Sequence, residues 1–312
     1  KEFNTTSDVT MNVTNSYGNI TVLLRDQKKI EYTVDITVAA NTDKKTTDLL
    51  NNITVDFEQS NNSVSATTVF KRSLSGNKQM EINYTIKIPK NAMANVSQKY
   101  GKVNINELNN TLKLTCAYGS LNLGKLNSKN NSFNLSYLSH SKADYINYVT
   151  LDIRYSSIDI DVVNYIIAKG NYNTFKLNNA GTAHFETNYS KINTQKIQKI
   201  EIHGNYLNAD LNQVDVSSVI NSNYSTINQN IQKTTEYVQL STNYGTLNLK
   251  NTAQNAYVLH AAGNYFKLKT NYDLNYTLKS ENGNQKEYKI NNGNNQNLKI
   301  KVNGNYTTLN LQ

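Results

Sequence analysis

One six-residue signature returns a dozen times along this chain, and it limits the fold more than any other feature. It reads tyrosine, a small or polar residue, any residue, then apolar, any, apolar. Clear copies are Tyr17-Gly-Asn-Ile-Thr-Val, Tyr100-Gly-Lys-Val-Asn-Ile, Tyr118-Gly-Ser-Leu-Asn-Leu and Tyr155-Ser-Ser-Ile-Asp-Ile. Others start at Tyr172, Tyr189, Tyr206, Tyr224, Tyr244, Tyr265 and Tyr306, with a degenerate copy at Tyr137. From Tyr100 to Tyr265 the steps are 18, 19, 18, 17, 17, 17, 18, 20 and 21 residues. A period this short lies below the helical repeats and within reach of a β-solenoid coil. The last gap, from Tyr265 to Tyr306, is 41 residues, room for two steps, and Asn282-Gly283 is read as a stand-in corner between them.

Inside each unit the pattern has period 2, the mark of a strand with one buried face. Leu112, Leu114 and Cys116 precede Tyr118 on alternate positions, and Leu121 and Leu123 follow it. The buried set thus moves from even to odd offsets at the tyrosine, so the chain turns a corner there. Glycine suits a corner because it tolerates positive φ and close backbone approach. Asparagine is frequent just before the tyrosine, at Asn171, Asn188, Asn205, Asn223, Asn243, Asn264 and Asn305. Stacked copies would align these amides into hydrogen-bonded ladders, which gives a use to the chain's 54 asparagines. Each unit is read as two short strands, a corner and a return loop. Alone it cannot bury its face, but in-register parallel copies can. The expected fold class is all-β: a right-handed parallel β-helix of about 18 residues per coil over residues 96–312.

Residues 1–95 read as an antiparallel sheet or small sandwich capping the first coil. Alternating runs at Val9–Val13, Ile20–Leu24, Ile30–Val38, Ile53–Phe57, Val64–Val69 and Ile82–Ile88 are separated by polar turns. One short helix is expected over Asp43–Asn51. The single proline, Pro89, precedes the boundary at 91–95 and leaves the ladders uninterrupted.

Composition narrows function mainly by exclusion. The one cysteine, Cys116, rules out a disulfide framework and any paired-cysteine zinc or redox site. A mean hydropathy of −0.62 with no long apolar run rules out a spanning helix. The net charge is +9; residues 1–95 are nearly balanced, with 11 basic and 10 acidic groups, so the excess lies in 96–312. There it is scattered lysine with one arginine, Arg154, without the dense clusters or modules of nucleic-acid binders. The start, Lys1-Glu2-Phe3, has neither Met nor a hydrophobic segment, so a signal peptide is expected to have been removed.

Several motifs together resemble a known family. They are Ser16-Tyr-Gly-Asn-Ile, Asp48-Leu-Leu-Asn-Asn-Ile-Thr-Val-Asp-Phe and Ile82-Asn-Tyr-Thr-Ile-Lys-Ile-Pro-Lys, followed by the Tyr-Gly/Ser strands. This order is similar to the bacterial "putative adhesin" family over nearly the whole chain. The resemblance implies an exported protein at the cell surface, outer membrane-associated or periplasmic, with a β-helical head. It implies adhesion to a glycan or a surface protein, and it brings no catalytic residues.

The residues themselves add few candidates for chemistry. The tyrosine series is assigned to the interior, because its parity matches the buried −4 and −6 positions and small residues at −2 (Gly170, Gly204, Ser222, Gly263, Gly304) would admit a ring. Asp152, Asp159 and Asp161 alternate with buried positions and share the outer surface with Arg154. Paired carboxylates there would serve a polysaccharide lyase or hydrolase, the alternative to a non-catalytic binder. His140, His184, His203 and His260 lack metal-site spacing, and Cys116 falls on a core position. The expectation is therefore a non-enzymatic protein with no catalytic, metal or cofactor residues.

Overall fold

The computed structural model describes residues 1–73, 79–294 and 297–312. Among these residues it is all-β apart from the helix Asp43–Asn51 and one 3-10 turn at Thr252–Gln254. The helix falls where the sequence places it. Thr42 caps it by accepting from the Lys45 amide at 3.3 Å, Asp43 sits in the first turn, and Leu49 anchors it in the core.

The chain divides into two compact units, Lys1–Ile158 and Asp159–Gln312. In the first unit the tyrosine corners stand between strands that pair in parallel with the next copy. Before the corner, Thr10–Ser16 pairs with Met93–Lys99, that strand with Leu112–Ala117, then Asn131–Ser136, then the second half of Ser141–Arg154. After it, Ile20–Arg25, Lys102–Leu108, Ser120–Leu126 and the first half of Ser141–Arg154 repeat the arrangement.

Residues 1–95 are a mixed sheet rather than a purely antiparallel cap. Antiparallel pairs join Glu2–Asn4 to Lys29–Ala39, Lys29–Ala39 to Gln79–Pro89, and Ile53–Gln59 to Ser63–Phe70. Yet Ser63–Phe70 runs parallel to Thr10–Ser16, and Gln79–Pro89 parallel to Ile20–Arg25. The cause is Tyr17, whose corner already belongs to the array. Buried Tyr32 and Tyr84 fill this region. The Tyr32 hydroxyl donates to the Val64 carbonyl at 3.0 Å, and burial pushes both phenols above their ordinary pKa. Pro89 ends its strand, where its missing N–H breaks no ladder.

In the second unit the 17-residue steps dispense with a return loop. Thr174–Asn188 and Lys191–Asn205 are continuous 15-residue strands joined only by the corner pair Tyr189-Ser190, and Tyr206-Leu207 joins the second to Asn208–Asn223. Along Thr174–Asn188 the buried residues are Phe175, Leu177, Ala180, Ala183, Phe185 and Thr187. The two steps of three, on either side of Ala180, bend the strand, so one continuous strand serves two faces.

The chain's last strands do not lie last in space. Leu298–Asn305 pairs in parallel with Tyr237–Asn243 on one side and Tyr257–Asn264 on the other. Thr308–Leu311 likewise lies between Thr246–Lys250 and Lys267–Thr270. The Tyr306 corner is thus inserted between those of Tyr244 and Tyr265. The preceding segment forms an antiparallel hairpin, Tyr276–Asn282 with Gln285–Asn292, which covers Tyr257–Asn264. Asn282-Gly283 is therefore not a degenerate corner. It belongs to the hairpin turn, with Gly283 at φ 54°.

Candidate functional site

All twelve signature tyrosines have left-handed backbones, with φ between 50° and 63°. For a bulky residue this costs about 1–2 kcal/mol each, so the surroundings must impose it. Corners are pinned from the neighbouring copy, the Tyr118 amide donating to Ser136 O at 3.1 Å and the Tyr206 amide to Asn223 O at 2.9 Å, while the Tyr265 amide donates to Asn284 O of the hairpin at 2.8 Å. Glycine at the next position serves close approach at Gly101 and Gly119, and at Gly18 also a positive φ of 142°. A Cβ on Gly101 would lie 1.6 Å from Gly18 O, and one on Gly119 1.9 Å from Gly101 O. Where serine replaces glycine its hydroxyl turns inward, as when Ser190 Oγ accepts from the Asn173 amide at 3.0 Å.

The left-handed corner sends the ring outward, which corrects the interior assignment of the series. The eleven rings from Tyr100 to Tyr306 are 40–51 % exposed. Parity counted along an extended strand does not carry through a residue that is itself the turn. The small residues at −2 admit no ring; a Cβ on Gly204 would meet Thr187 O at 1.6 Å, so they let neighbouring backbones touch.

The rings form a stack within each unit. In the first, centroid distances are 5.1, 5.2, 4.8 and 5.1 Å along Tyr17, Tyr100, Tyr118, Tyr137 and Tyr155. In the second they are 4.9, 4.7, 5.0, 5.0, 4.8 and 4.5 Å along Tyr172, Tyr189, Tyr206, Tyr224, Tyr244, Tyr306 and Tyr265. Phe70 closes the Tyr17 end edge-on at 6.1 Å, and Asn284 donates to the Tyr265 hydroxyl at 2.7 Å. Ring faces are thus spent on one another, and solvent meets edges and hydroxyls. Lys99 Nζ lies 4.9 Å from the Tyr100 centroid. The Tyr306 phenol is held above its ordinary pKa by desolvation, then by Tyr265 and Tyr244 beside it.

Behind the second stack the predicted asparagine ladder is present. Asn205 Oδ1 accepts the Asn223 backbone amide at 3.2 Å and its Nδ2 at 2.8 Å, and Asn188 Oδ1 does the same for Asn205 at 2.9 and 3.2 Å. The pattern runs from Asn171 through Asn243 and Asn305 to Asn264. On the other side of the rings a trough of about 500 Å³ lies along Tyr172, Tyr189, Tyr206 and Tyr224. Its far wall is Thr174, Lys191, Asn208 and Thr226, and no carboxylate lines it.

The acidic candidates engage lysine, arginine or amide neighbours instead of facing one another. Asp152 pairs with Arg154 at 3.3 Å in the first unit. In the second, Asp159 pairs with Lys176 at 2.8 Å and Asp161 accepts from Asn178 at 3.1 Å. Strand register brings together a cluster that spacing did not reveal: Glu201 holds His184 at 2.9 Å and His203 at 2.7 Å, and its carboxyl is lowered chiefly by His203. His260 pairs with Glu287, and His140 takes a left-handed backbone. Among the described residues no group of three such side chains is placed to hold a metal ion. Cys116 is buried in the core, its thiol pushed up to about 12 by desolvation.

No protein-family model matches the chain, and no curated protein matches it. Two solved structures align along its length. One is a "putative cell adhesion protein" from Clostridium sporogenes, 12 % identical, covering 100 % of this chain and 98 % of that one, with a TM-score of 0.21. The other is a "putative adhesin" from Bacteroides fragilis, 11 % identical, covering 100 % and 95 %, with a TM-score of 0.24. Similarity this slight assigns neither fold nor function. Among the described residues no helix is long and apolar enough to cross a membrane.

Proposed function

We propose that this is an exported, non-catalytic attachment protein that binds glycan or protein at the cell surface or in the envelope. Each unit is read as coils of right-handed parallel β-helix, with the N-terminal strands covering the first coils. The observation that carries the reading is the exposed tyrosine stack. A chain holding twelve strained backbones to keep an aromatic row in solvent on each unit has surfaces shaped for contact. The parallel register fixes that row as a flat, regularly spaced face, suited to an extended partner. The pairing of Asp159 with Lys176 and Asp161 with Asn178 supports the non-catalytic part of the reading.

An array of linear and branched glycans and matrix proteins, probed with the full chain, tests this. Wild type should retain a ligand that the triple variant Tyr189→Ala/Tyr206→Ala/Tyr224→Ala loses. Unchanged retention by the folded variant, or no retention by wild type, would overturn the assignment. Release of new reducing ends from pectate or alginate, abolished by Asp159→Asn, would make the protein an enzyme instead.

A further inference from the structure

An aromatic row that binds neutral sugars usually offers ring faces, since the apolar side of a sugar packs on them. Here the faces are covered by neighbouring rings, so that mode is closed along the stack. What remains exposed is the electropositive ring edge, with its hydroxyl. Such a row favours electron-rich oxygen over C–H.

The second row has the same bias. Strand register aligns Thr174, Lys191, Asn208, Thr226, Thr246, Thr308 and Lys267 beside the seven rings of the second unit. The row holds two cations, no anion, four hydroxyls and one amide. Lys191 and Lys267 are exposed and stand five strand spacings apart, about 24 Å. In the next row out, Lys269 adds a cation and Asp210 is occupied by Asn228 Nδ2 at 2.7 Å. Tyrosine edges, threonine hydroxyls, asparagine amides and lysines thus run as a donor-rich track along the stacking axis. Its period is one strand spacing, close to the length of one sugar residue in an extended chain.

We infer that this track takes a linear acidic polysaccharide, a uronate-type chain lying along the stack with its carboxylates toward Lys191 and Lys267. The inference rests on the attachment reading and names its ligand class. Continuity matters as much as charge: a chain longer than the Lys191–Lys267 span reaches both cations, whereas a short oligomer reaches one.

Titration calorimetry of the full chain with oligogalacturonates of increasing length tests it. Cello-oligosaccharides of matched length and single-stranded DNA serve as comparison polymers. Affinity for the acidic oligomer should rise with length and level off near seven rungs, and should weaken as salt screens the lysines. Lys191→Gln/Lys267→Gln should weaken it about tenfold, while Lys199→Gln, on a strand segment away from the track, should not. Tyr206→Phe, which keeps the ring and removes the hydroxyl, should weaken it less. Equal affinity for the neutral oligomer, or no loss in the double lysine variant, would overturn the acidic ligand while leaving attachment intact. Tighter binding of DNA would overturn the glycan. If neither sugar binds, this inference fails, and the array result alone decides the attachment reading.

Discussion

The two units build the same outward stack with different corners. In the second, every tyrosine follows an asparagine whose amide bonds to the next copy. In the first, that position is Ser16, Lys99, Ala117, Ser136 and Arg154, and the first three corners continue with Gly18, Gly101 and Gly119. The rings register the difference. Tyr17, Tyr100 and Tyr118, each followed by glycine, are tilted by 18° and 21° to one another. Once Leu138 and Ser156 fill the inner corner, the tilt falls to 1° and 2°. In the second unit Tyr244 is also followed by glycine, Gly245, yet tilts of 1° and 4° flank it. The asparagine ladder is present there. Every pair within 10° of parallel thus has a filled inner corner or a laddered amide, while Tyr265 and Tyr306 at the end of the stack, with both, are tilted by 13°.

The largest effect should come from crowding a corner that has neither device. Gly101→Val would drive its Cβ into Gly18 O and should cost the first unit about 3 kcal/mol or more. Gly245→Ala, whose Cβ would meet Thr242 Oγ1 at 2.4 Å and Cγ2 at 2.9 Å, should cost less, about 2 kcal/mol, because a buried threonine side chain rather than backbone must shift. Cys116 makes the first of these separately measurable. Its raised pKa and burial keep it inert, so labelling by a thiol reagent during urea denaturation reports opening of the first unit.

Breaking the ladder comes next. Asn205→Ala removes an acceptor for two Asn223 donors and should destabilise the second unit by about 2 kcal/mol. The reciprocal graft, Lys99→Asn with Ala117→Asn, should sharpen the comparison by reducing the Tyr100–Tyr118 tilt. Its gain should be about 0.5–1 kcal/mol by denaturation midpoint.

Removing a ring should cost less than burial would suggest. Tyr206→Ala loses two stacking contacts, about 1–2 kcal/mol together. Tyr206→Gly should be about 1 kcal/mol more stable than Tyr206→Ala, because it relieves the left-handed strain. A tyrosine with an extended backbone would give the opposite order.

The smallest effect concerns pH. The Glu201 carboxyl is lowered in the folded state, so its contribution is present above the ordinary glutamate pKa and lost as pH falls through the folded value. The stability gap between wild type and Glu201→Gln should therefore close on acidification below about pH 4. Parallel urea titrations across that range will show whether it does.

These differences also mark what the sequence could express. The strands, the helix at Asp43–Asn51, the buried Cys116 and the asparagine ladder follow from period and spacing, which are local. The outward tyrosines did not, because the parity rule stops at a reversed backbone. The available signal was the parity change itself, which makes the tyrosine part of the turn. The place of Leu298–Asn305 was equally hidden. Its alternation matches any other copy, and only tertiary pairing decides which two strands it joins. The His184–Glu201–His203 cluster likewise arises from register between copies rather than from any motif.

That inserted copy has a mechanical consequence. Leu298–Asn305 is bonded along its length on both edges, by Tyr237–Asn243 and Tyr257–Asn264. Tension drawn on Gln312 along the strand direction first loads Thr308–Leu311, held between Thr246–Lys250 and Lys267–Thr270, and then Leu298–Asn305, each with two rows of hydrogen bonds in shear instead of an edge strand peeled one bond at a time. The inserted pair of strands is therefore a clamp. In an array folded in simple sequence order, the terminal copy would be the first to tear away; here a pulling force must first extract a strand from between two others.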